Sequence, residues 1–138
     1  MSKNNRTLLV ITFFDRKQTL QKQLEFLESY GEEVDTIIVD QSESTWAQGI
    51  QHYKIKDVHH YPASKYHFYK MWQEICELYE DYSFIYWNND DDFASLKGIK
   101  IAEQFLQENP EYSVAQGQVV QMQTYSTINW GYGTSEWF

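Results

Sequence analysis

The acidic triplet Asp90-Asp91-Asp92 is the feature of this sequence whose residue types and spacing could do chemistry. It ends the run YSFIYWNNDDDF over residues 82–93, directly after an apolar, aromatic stretch and two asparagines. Neighbouring carboxylates repel one another, so solvent, backbone N–H groups or a cation must compensate their charge. Two explanations compete. The acids either bind a divalent cation, or they form a solvated turn that favours the dipole of a following helix.

Two more aspartates follow segments that read as buried strands. The run RTLLVITFF is followed by Asp15, and VDTIIVD ends in Asp40. Continuous apolar runs of this length are typical of strands covered on both faces. The carboxyl ends of parallel strands share one edge of a sheet, so Asp15, Asp40 and the triplet are predicted to gather there. Asp is also a common helix cap, and Asp15 has Gln18 in the capping-box position.

The remaining pattern predicts the elements that position these acids. Leucines at helical spacing indicate a first helix that ends near Gly31. The chain then continues through an edge strand in YKIKDVHHYP, a helix capped by Ser64, the strand before the triplet, a helix from Ser95 to Asn109 and a last strand in YSVAQGQVVQMQ. We therefore expect a single α/β domain over residues 1–138, with a mostly parallel sheet flanked by helices.

Composition narrows the class of protein. Eleven Lys and Arg residues against twenty Asp and Glu residues give a net charge of −9, which argues against binding nucleic acid. The amino-terminal apolar run is too short and too polar for a signal peptide or a membrane span, so a cytoplasmic protein is expected. Neither GxGxxG nor GxxxxGK[ST] occurs, which leaves dinucleotide and P-loop folds without support.

The motif order resembles a known enzyme family. LLVITFFDR, IIVDQS, FIYWNNDDDF and NPEYSVAQGQV occur in the order seen in GT-A glycosyltransferases of the family-2 type, especially small bacterial domains with a DDD motif. The resemblance implies a GT-A fold with a Rossmann-like nucleotide-binding half. It also implies hexosyl transfer from a nucleotide-diphosphate sugar, with Mn²⁺ or Mg²⁺ bound at the DDD motif.

The resemblance also implies roles for individual acids. Asp40 is expected to contact the nucleoside, and Asp90 the ribose or the metal. Asp92 is expected to bind the metal, but the register within the triplet is ambiguous by one residue. Asp91 is therefore assigned to the nucleotide site and stays open as an alternative metal ligand. At the end of the first strand the family usually has Pro-Thr-Tyr-Asn or similar, whereas this sequence has Thr12-Phe13-Phe14-Asp15, and Asp15 either lines the nucleotide pocket or caps a helix.

The acceptor side of such an enzyme is not recognisable in the sequence. Family members carry a catalytic Asp or Glu in an acceptor-binding half, whereas Glu136 is the only acid after Glu111 and matches no motif. The catalytic residue and the sugar or lipid acceptor are thus unassigned, and we expect the chain to bind donor better than it transfers sugar. Two alternatives stay open: a shortened, non-catalytic module that binds a nucleotide or a protein, and an interaction domain whose acids only cap helices.

Overall fold

A parallel sheet organises the part of the chain that the structure describes. The computed structural model describes residues 4–29 and 34–116. In chain order its elements are β1 (Asn4–Phe13), α1 (Lys17–Ser29), β2 (Asp35–Asp40), a 3₁₀ turn (Trp46–Gly49), β3 (Ile55–His60), α2 (Phe68–Leu78), β4 (Tyr82–Asn89) and α3 (Leu96–Glu108). The strands lie in the order β3-β2-β1-β4, and every neighbouring pair is parallel. The predicted α/β class with a parallel sheet is confirmed.

Strand β1 is buried on both faces, as its continuous apolar sequence predicts. Successive side chains of a strand point to opposite faces of the sheet. Leu9, Ile11 and Phe13 therefore pack in one cluster with buried side chains of α1 and α3. Leu8 and Val10 pack in a second cluster with buried side chains of α2. Burial of each Leu or Ile stabilises the fold by about 1.5–3 kcal/mol, so β1 contributes to the packing of both helical layers, as does β2 through Ile37, Ile38 and Val39.

The strand order reverses beside β1. The chain moves outward from β1 to β2 and β3, then crosses back through α2 to place β4 on the other side of β1. In open parallel sheets the connections leave in opposite directions at such a reversal, and a crevice forms outside the carboxyl ends of the two strands. Phe13 ends β1 and Asn89 ends β4, so both residues lie at this crevice.

Helix α3 has the ends that its sequence predicts. The Ser95 hydroxyl oxygen accepts a hydrogen bond from the Gly98 N–H at 3.1 Å, which satisfies one of the free donors in the first turn. At the other end, the Asn109 N–H donates to the Phe105 carbonyl. Both predicted boundaries of this helix are confirmed.

The predicted caps of the first two helices are wrong. His67 occupies the N-cap of α2, while the Ser64 hydroxyl donates to the Glu43 carboxylate at 2.7 Å. The carbonyl of Arg16 accepts the first hydrogen bond of α1, so Asp15 lies one residue outside the cap position. In both cases the predicted cap is hydrogen-bonded to residues of the loop after β2, namely Ser64 to Glu43 and Asp15 to Ser42 and Ser44, and the helix begins later.

Other expectations are confirmed in part or lie outside the described residues. The predicted edge strand is β3, which lies at one edge of the described sheet. Residues 112–116 are irregular rather than part of the last predicted strand, whose residues 117–123 are not among those described. Gly31 and Glu136 are not described either. Within residues 4–29 and 34–116, no helix has the length and apolar character needed to cross a membrane.

Candidate functional site

A cleft of about 280 Å³ opens at the carboxyl ends of β1 and β4. Its walls are formed by Thr12, Phe13, Phe14, Arg16, Gln41, Asn89, Asp90 and Asp91. This volume is close to the lower end of the range for small-molecule sites. The cleft therefore lies where parallel α/β sheets bind ligands, and two acids of the triplet form part of its wall.

Two buried side-chain amides hold the triplet in place by donating hydrogen bonds to backbone carbonyls within and beside it. The buried Gln23 side chain of α1 donates to the Asn89 carbonyl at 2.6 Å and also to the Asp92 carbonyl. Asn88, also buried, donates to the same Asp92 carbonyl at 2.8 Å. Gln23 lies within the helical spacing of Leu20, Leu24 and Leu27, so a polar residue inside an apolar stripe was the signal that sequence reasoning missed.

Asp90 is turned inward. The residue is only 3% exposed, and its Oδ2 accepts a hydrogen bond from the Phe14 N–H at 3.2 Å. Its Oδ1 lies 3.4 Å from Nη1 of Arg16. Burial raises the pKa of Asp90, and the Phe14 N–H and the Arg16 guanidinium oppose that rise. The carboxylate thus joins the β4 loop to the turn after β1 across the floor of the cleft.

Asp91 and Asp92 are exposed, and their partners differ. Asp91 Oδ2 forms an ion pair with Nη1 of Arg16 at 2.5 Å. Asp92 Oδ2 accepts a hydrogen bond from the Asn89 side-chain amide at 3.3 Å. The charge of Asp90, and the hydrogen bond and charge of Asp91, raise the pKa of Arg16. A guanidinium therefore compensates two of the three acids, and sequence reasoning did not identify Arg16 because it lies some 75 residues before them.

Asp40 lies beneath the surface at the end of β2. It is 0% exposed, and its Oδ1 accepts the Ser42 N–H at 2.9 Å. Its Oδ2 has no hydrogen-bond partner among the described residues, and Nε2 of His60 is 4.0 Å away. Burial raises the pKa of Asp40, and hydrogen bonding by Ser42 opposes that rise. The neighbouring Gln41, rather than Asp40, lines the cleft.

Asp15 connects the turn after β1 to the loop after β2. Its φ of 53° lies in the left-handed region, which Asp tolerates better than most residues. Its N–H donates to the Ser42 hydroxyl oxygen at 2.8 Å, and its Oδ1 accepts from the Ser44 hydroxyl at 3.3 Å. Asp15 is exposed and lies between Phe14 and Arg16, so its unusual backbone directs both neighbours toward the cleft.

The oxygen donors at the cleft suit a hard cation that brings further ligands with it. The exposed carboxylate of Asp91, which lines the cleft, and that of Asp92, which follows it in the chain but does not line the cleft, are of the type that Mg²⁺ and Mn²⁺ prefer. Across the described ranges, no three His, Cys, Asp or Glu side chains are arranged to hold a metal ion. Mg²⁺ is commonly bound through one or two carboxylates, waters and the phosphates of a substrate. The donor set fits that mode and not a metal cage made by the protein alone.

Fold and site together define a parallel α/β domain with an acidic, arginine-paired cleft at the reversal of strand order. Comparison of the chain with protein-family models, curated proteins and solved structures finds no match.

Proposed function

We propose that this chain is a GT-A-like glycosyltransferase, or the donor-binding half of one, that uses a nucleotide-diphosphate sugar together with Mn²⁺ or Mg²⁺. The observation that carries the proposal is the position of the triplet. It follows β4 directly, beside the end of β1, and it opens into the cleft at the reversal of strand order. That position is where sheets of this type bind nucleotides.

In this proposal the exposed acids hold the metal. Asp92 is the ligand, with Asp91 as the alternative, because both carboxylates are exposed; Asp91 lines the cleft, and Asp92 follows it in the chain without lining the cleft. A bound divalent ion would neutralise the charge of the leaving diphosphate as a Lewis acid. Without such an ion, the exposed carboxylates would repel the phosphates of the donor.

The other predicted residues shape the site in different ways. Asp90 and Asp15 hold the walls, since each is engaged by backbone or hydroxyl groups of neighbouring segments. The nucleoside role of Asp40 requires a ligand N–H to reach its unpartnered Oδ2. Because Asp40 is fully buried, that contact requires the residues that cover it to move aside. Gln41 already faces the cleft and is available to a ligand without such movement.

A metal-independent binding module is the second candidate. The observation that favours it is the compensation of Asp90 and Asp91 by Arg16 within the chain itself. Acids paired in this way do not require a metal for stability. This module would bind a nucleotide or a protein partner without sugar transfer.

Calorimetric titration of UDP and GDP separates the two candidates. We expect binding in the presence of Mn²⁺ and affinity at least about tenfold weaker in excess chelator, because the acids then face the phosphates directly. Uridine, which lacks phosphates, is the control and should respond little to the metal. Equal nucleotide affinity with and without chelator would favour the metal-independent module. Absence of binding by both nucleotides under both conditions would overturn the proposed function.

A further inference from the structure

Arg16 forms an ion pair with Asp91, the carboxylate that the proposed metal site would use beside Asp92 or in its place. Its Nη1 is 2.5 Å from Asp91 Oδ2 and 3.4 Å from Asp90 Oδ1. The Arg16 side chain is 53% exposed, so the guanidinium lies at the mouth of the cleft and can turn away without unpacking the core. A guanidinium and a divalent cation on the same carboxylate repel each other, so the two compete for Asp91.

A diphosphate offers the guanidinium a better partner. The planar fork of Arg pairs with two phosphate oxygens at once, and the two phosphates of a diphosphate together carry at least two negative charges, against one on a carboxylate. Arg16 precedes the first turn of α1, whose free N–H groups add partial positive charge on the same side of the cleft. A bound diphosphate is therefore expected to draw Arg16 away from Asp91.

We propose that Arg16 is a displaceable counter-ion that couples metal binding to diphosphate binding. This inference rests on the proposed function and adds to it the sequence in which Arg16 exchanges partners and Asp91 becomes free. Arg16 pairs with Asp91 in the ligand-free protein, turns to the diphosphate when the nucleotide binds, and thereby frees Asp91 for the metal. Since coupling between two ligands is reciprocal, each ligand strengthens the binding of the other.

The environment of the neighbouring acids supports this division of roles. Asp90 is buried and receives the Phe14 N–H, so it stays in place when Arg16 leaves. Asp92 is exposed and accepts a hydrogen bond from the neutral Asn89 amide, whereas Asp90 and Asp91 lie beside the Arg16 guanidinium. Asp92 is therefore the acid of the triplet that can bind a metal ion before Arg16 moves. A single carboxylate binds Mn²⁺ weakly, and no cluster of three metal-binding side chains exists within the described residues to assist it. Tight metal binding therefore depends on the phosphate oxygens and on release of Asp91.

The test measures Mn²⁺ affinity with and without a diphosphate. Mn²⁺ is titrated into wild-type protein, Arg16→Gln, Arg16→Lys and Lys17→Gln, alone and with saturating UDP or inorganic pyrophosphate. Free Mn²⁺ is followed by electron paramagnetic resonance, and each titration is compared with the same titration without protein, because UDP and pyrophosphate bind Mn²⁺ themselves. Lys17 is the matched control: it is the next cation along the chain, but its Nζ lies 5.3 Å over the Trp46 ring rather than on an acid. Thermal unfolding followed by circular dichroism shows that each variant is folded.

Three results are expected. Arg16→Gln binds Mn²⁺ alone about fivefold or more tightly than wild type, and its gain in Mn²⁺ affinity on adding UDP or pyrophosphate shrinks by a similar factor. Arg16→Lys keeps a charge but loses the fork, so its Mn²⁺ affinity without diphosphate stays closer to wild type than that of Arg16→Gln. Lys17→Gln behaves as wild type in both conditions.

The contrary outcomes separate this inference from the function on which it rests. If UDP binds wild type with Mn²⁺ but Arg16→Gln shows wild-type Mn²⁺ affinity and wild-type coupling, the counter-ion role is overturned and the proposed function stands. If neither UDP nor pyrophosphate binds any of the four proteins in Mn²⁺, the proposed function is overturned and this inference with it.

Discussion

Substitution of Asp40 by Asn should stabilise the protein at neutral pH. The Asp40 carboxylate is fully buried, and its Oδ2 has no hydrogen-bond partner in the described part of the chain. A buried charge in this condition is unfavourable, because the hydrogen bond from the Ser42 N–H to Oδ1 replaces only part of the hydration that the carboxylate loses. Asn has nearly the same shape and keeps an oxygen for the Ser42 N–H, but it carries no charge.

The magnitude follows from three opposing contributions. Removing the charge recovers desolvation free energy of several kcal/mol. The Ser42 hydrogen bond weakens by about 1 kcal/mol when its acceptor becomes neutral, and an unpaired amide N–H₂ costs about 1–3 kcal/mol. We therefore expect Asp40→Asn to raise the free energy of unfolding by about 1–2 kcal/mol. For a chain of this length, that gain raises the Tm by about 3–7 °C.

The stability difference between Asp40→Asn and wild type should depend on pH in a defined direction. Burial raises the pKa of Asp40 above its ordinary 3.8, so the folded protein retains this proton at a higher pH than the unfolded chain. The wild-type protein therefore gains stability as pH falls from the folded pKa toward 3.8, whereas Asp40→Asn gains nothing at this position. The advantage of the variant should be largest at neutral pH and shrink on acidification.

Urea unfolding at a series of pH values between 4 and 7.5 measures this difference, with circular dichroism as the signal. Asp81→Asn is the control, since Asp81 is exposed in the turn before β4 and should change stability by less than about 0.5 kcal/mol. A variant less stable than wild type at pH 7, or a stability gap that does not change with pH, would refute the reasoning. Either result would mean that the charged form of Asp40 is well solvated or paired in the folded protein.

Two further predictions concern a metal ligand and a helix cap. Asp92→Asn should weaken Mn²⁺-dependent UDP binding, measured by calorimetry, by about tenfold or more. Its Tm should stay within about 2 °C of wild type, because the residue is exposed. A large fall in Tm with intact binding would instead mean that Asp92 has a structural role. Ser95→Ala should lower the free energy of unfolding by about 1 kcal/mol through loss of the Gly98 cap bond, and Ser64→Ala by less than half of that; equal losses in urea unfolding would contradict the cap assignment.

The layered fold was predictable because a strand that is buried on both faces has a recognisable sequence, with apolar residues at successive positions. Strand β1 is apolar at successive positions, and α3 has both a Ser cap and a Pro after its end. Such signals are local, so neighbouring residues are enough to detect them. The gathering of acids at one sheet edge followed from the same logic, since parallel strands share an orientation.

What sequence reasoning missed depends on contacts between distant segments. Ser64 is a residue type that commonly caps helices, but its hydroxyl donates a hydrogen bond to Glu43, which lies 21 residues earlier in the chain. Arg16 meets the triplet across 75 residues, and no local pattern reveals this partner. Asp40 is placed correctly at a strand end, yet its full burial depends on the packing of loops around it. Position along the sheet was thus readable, whereas the exposure and pairing of each acid were not.

The central position of β1 has a consequence for synthesis on the ribosome. Leu8 of β1 pairs with Asp35 of β2 on one side and with Ile85 of β4, 77 residues later, on the other. At about 5–20 residues per second, β4 is completed about 4–15 s after β1 has been made. During that interval the nascent chain presents an apolar strand with one unpaired edge, which is a template for wrong pairing. That edge is where a chaperone would have to act first.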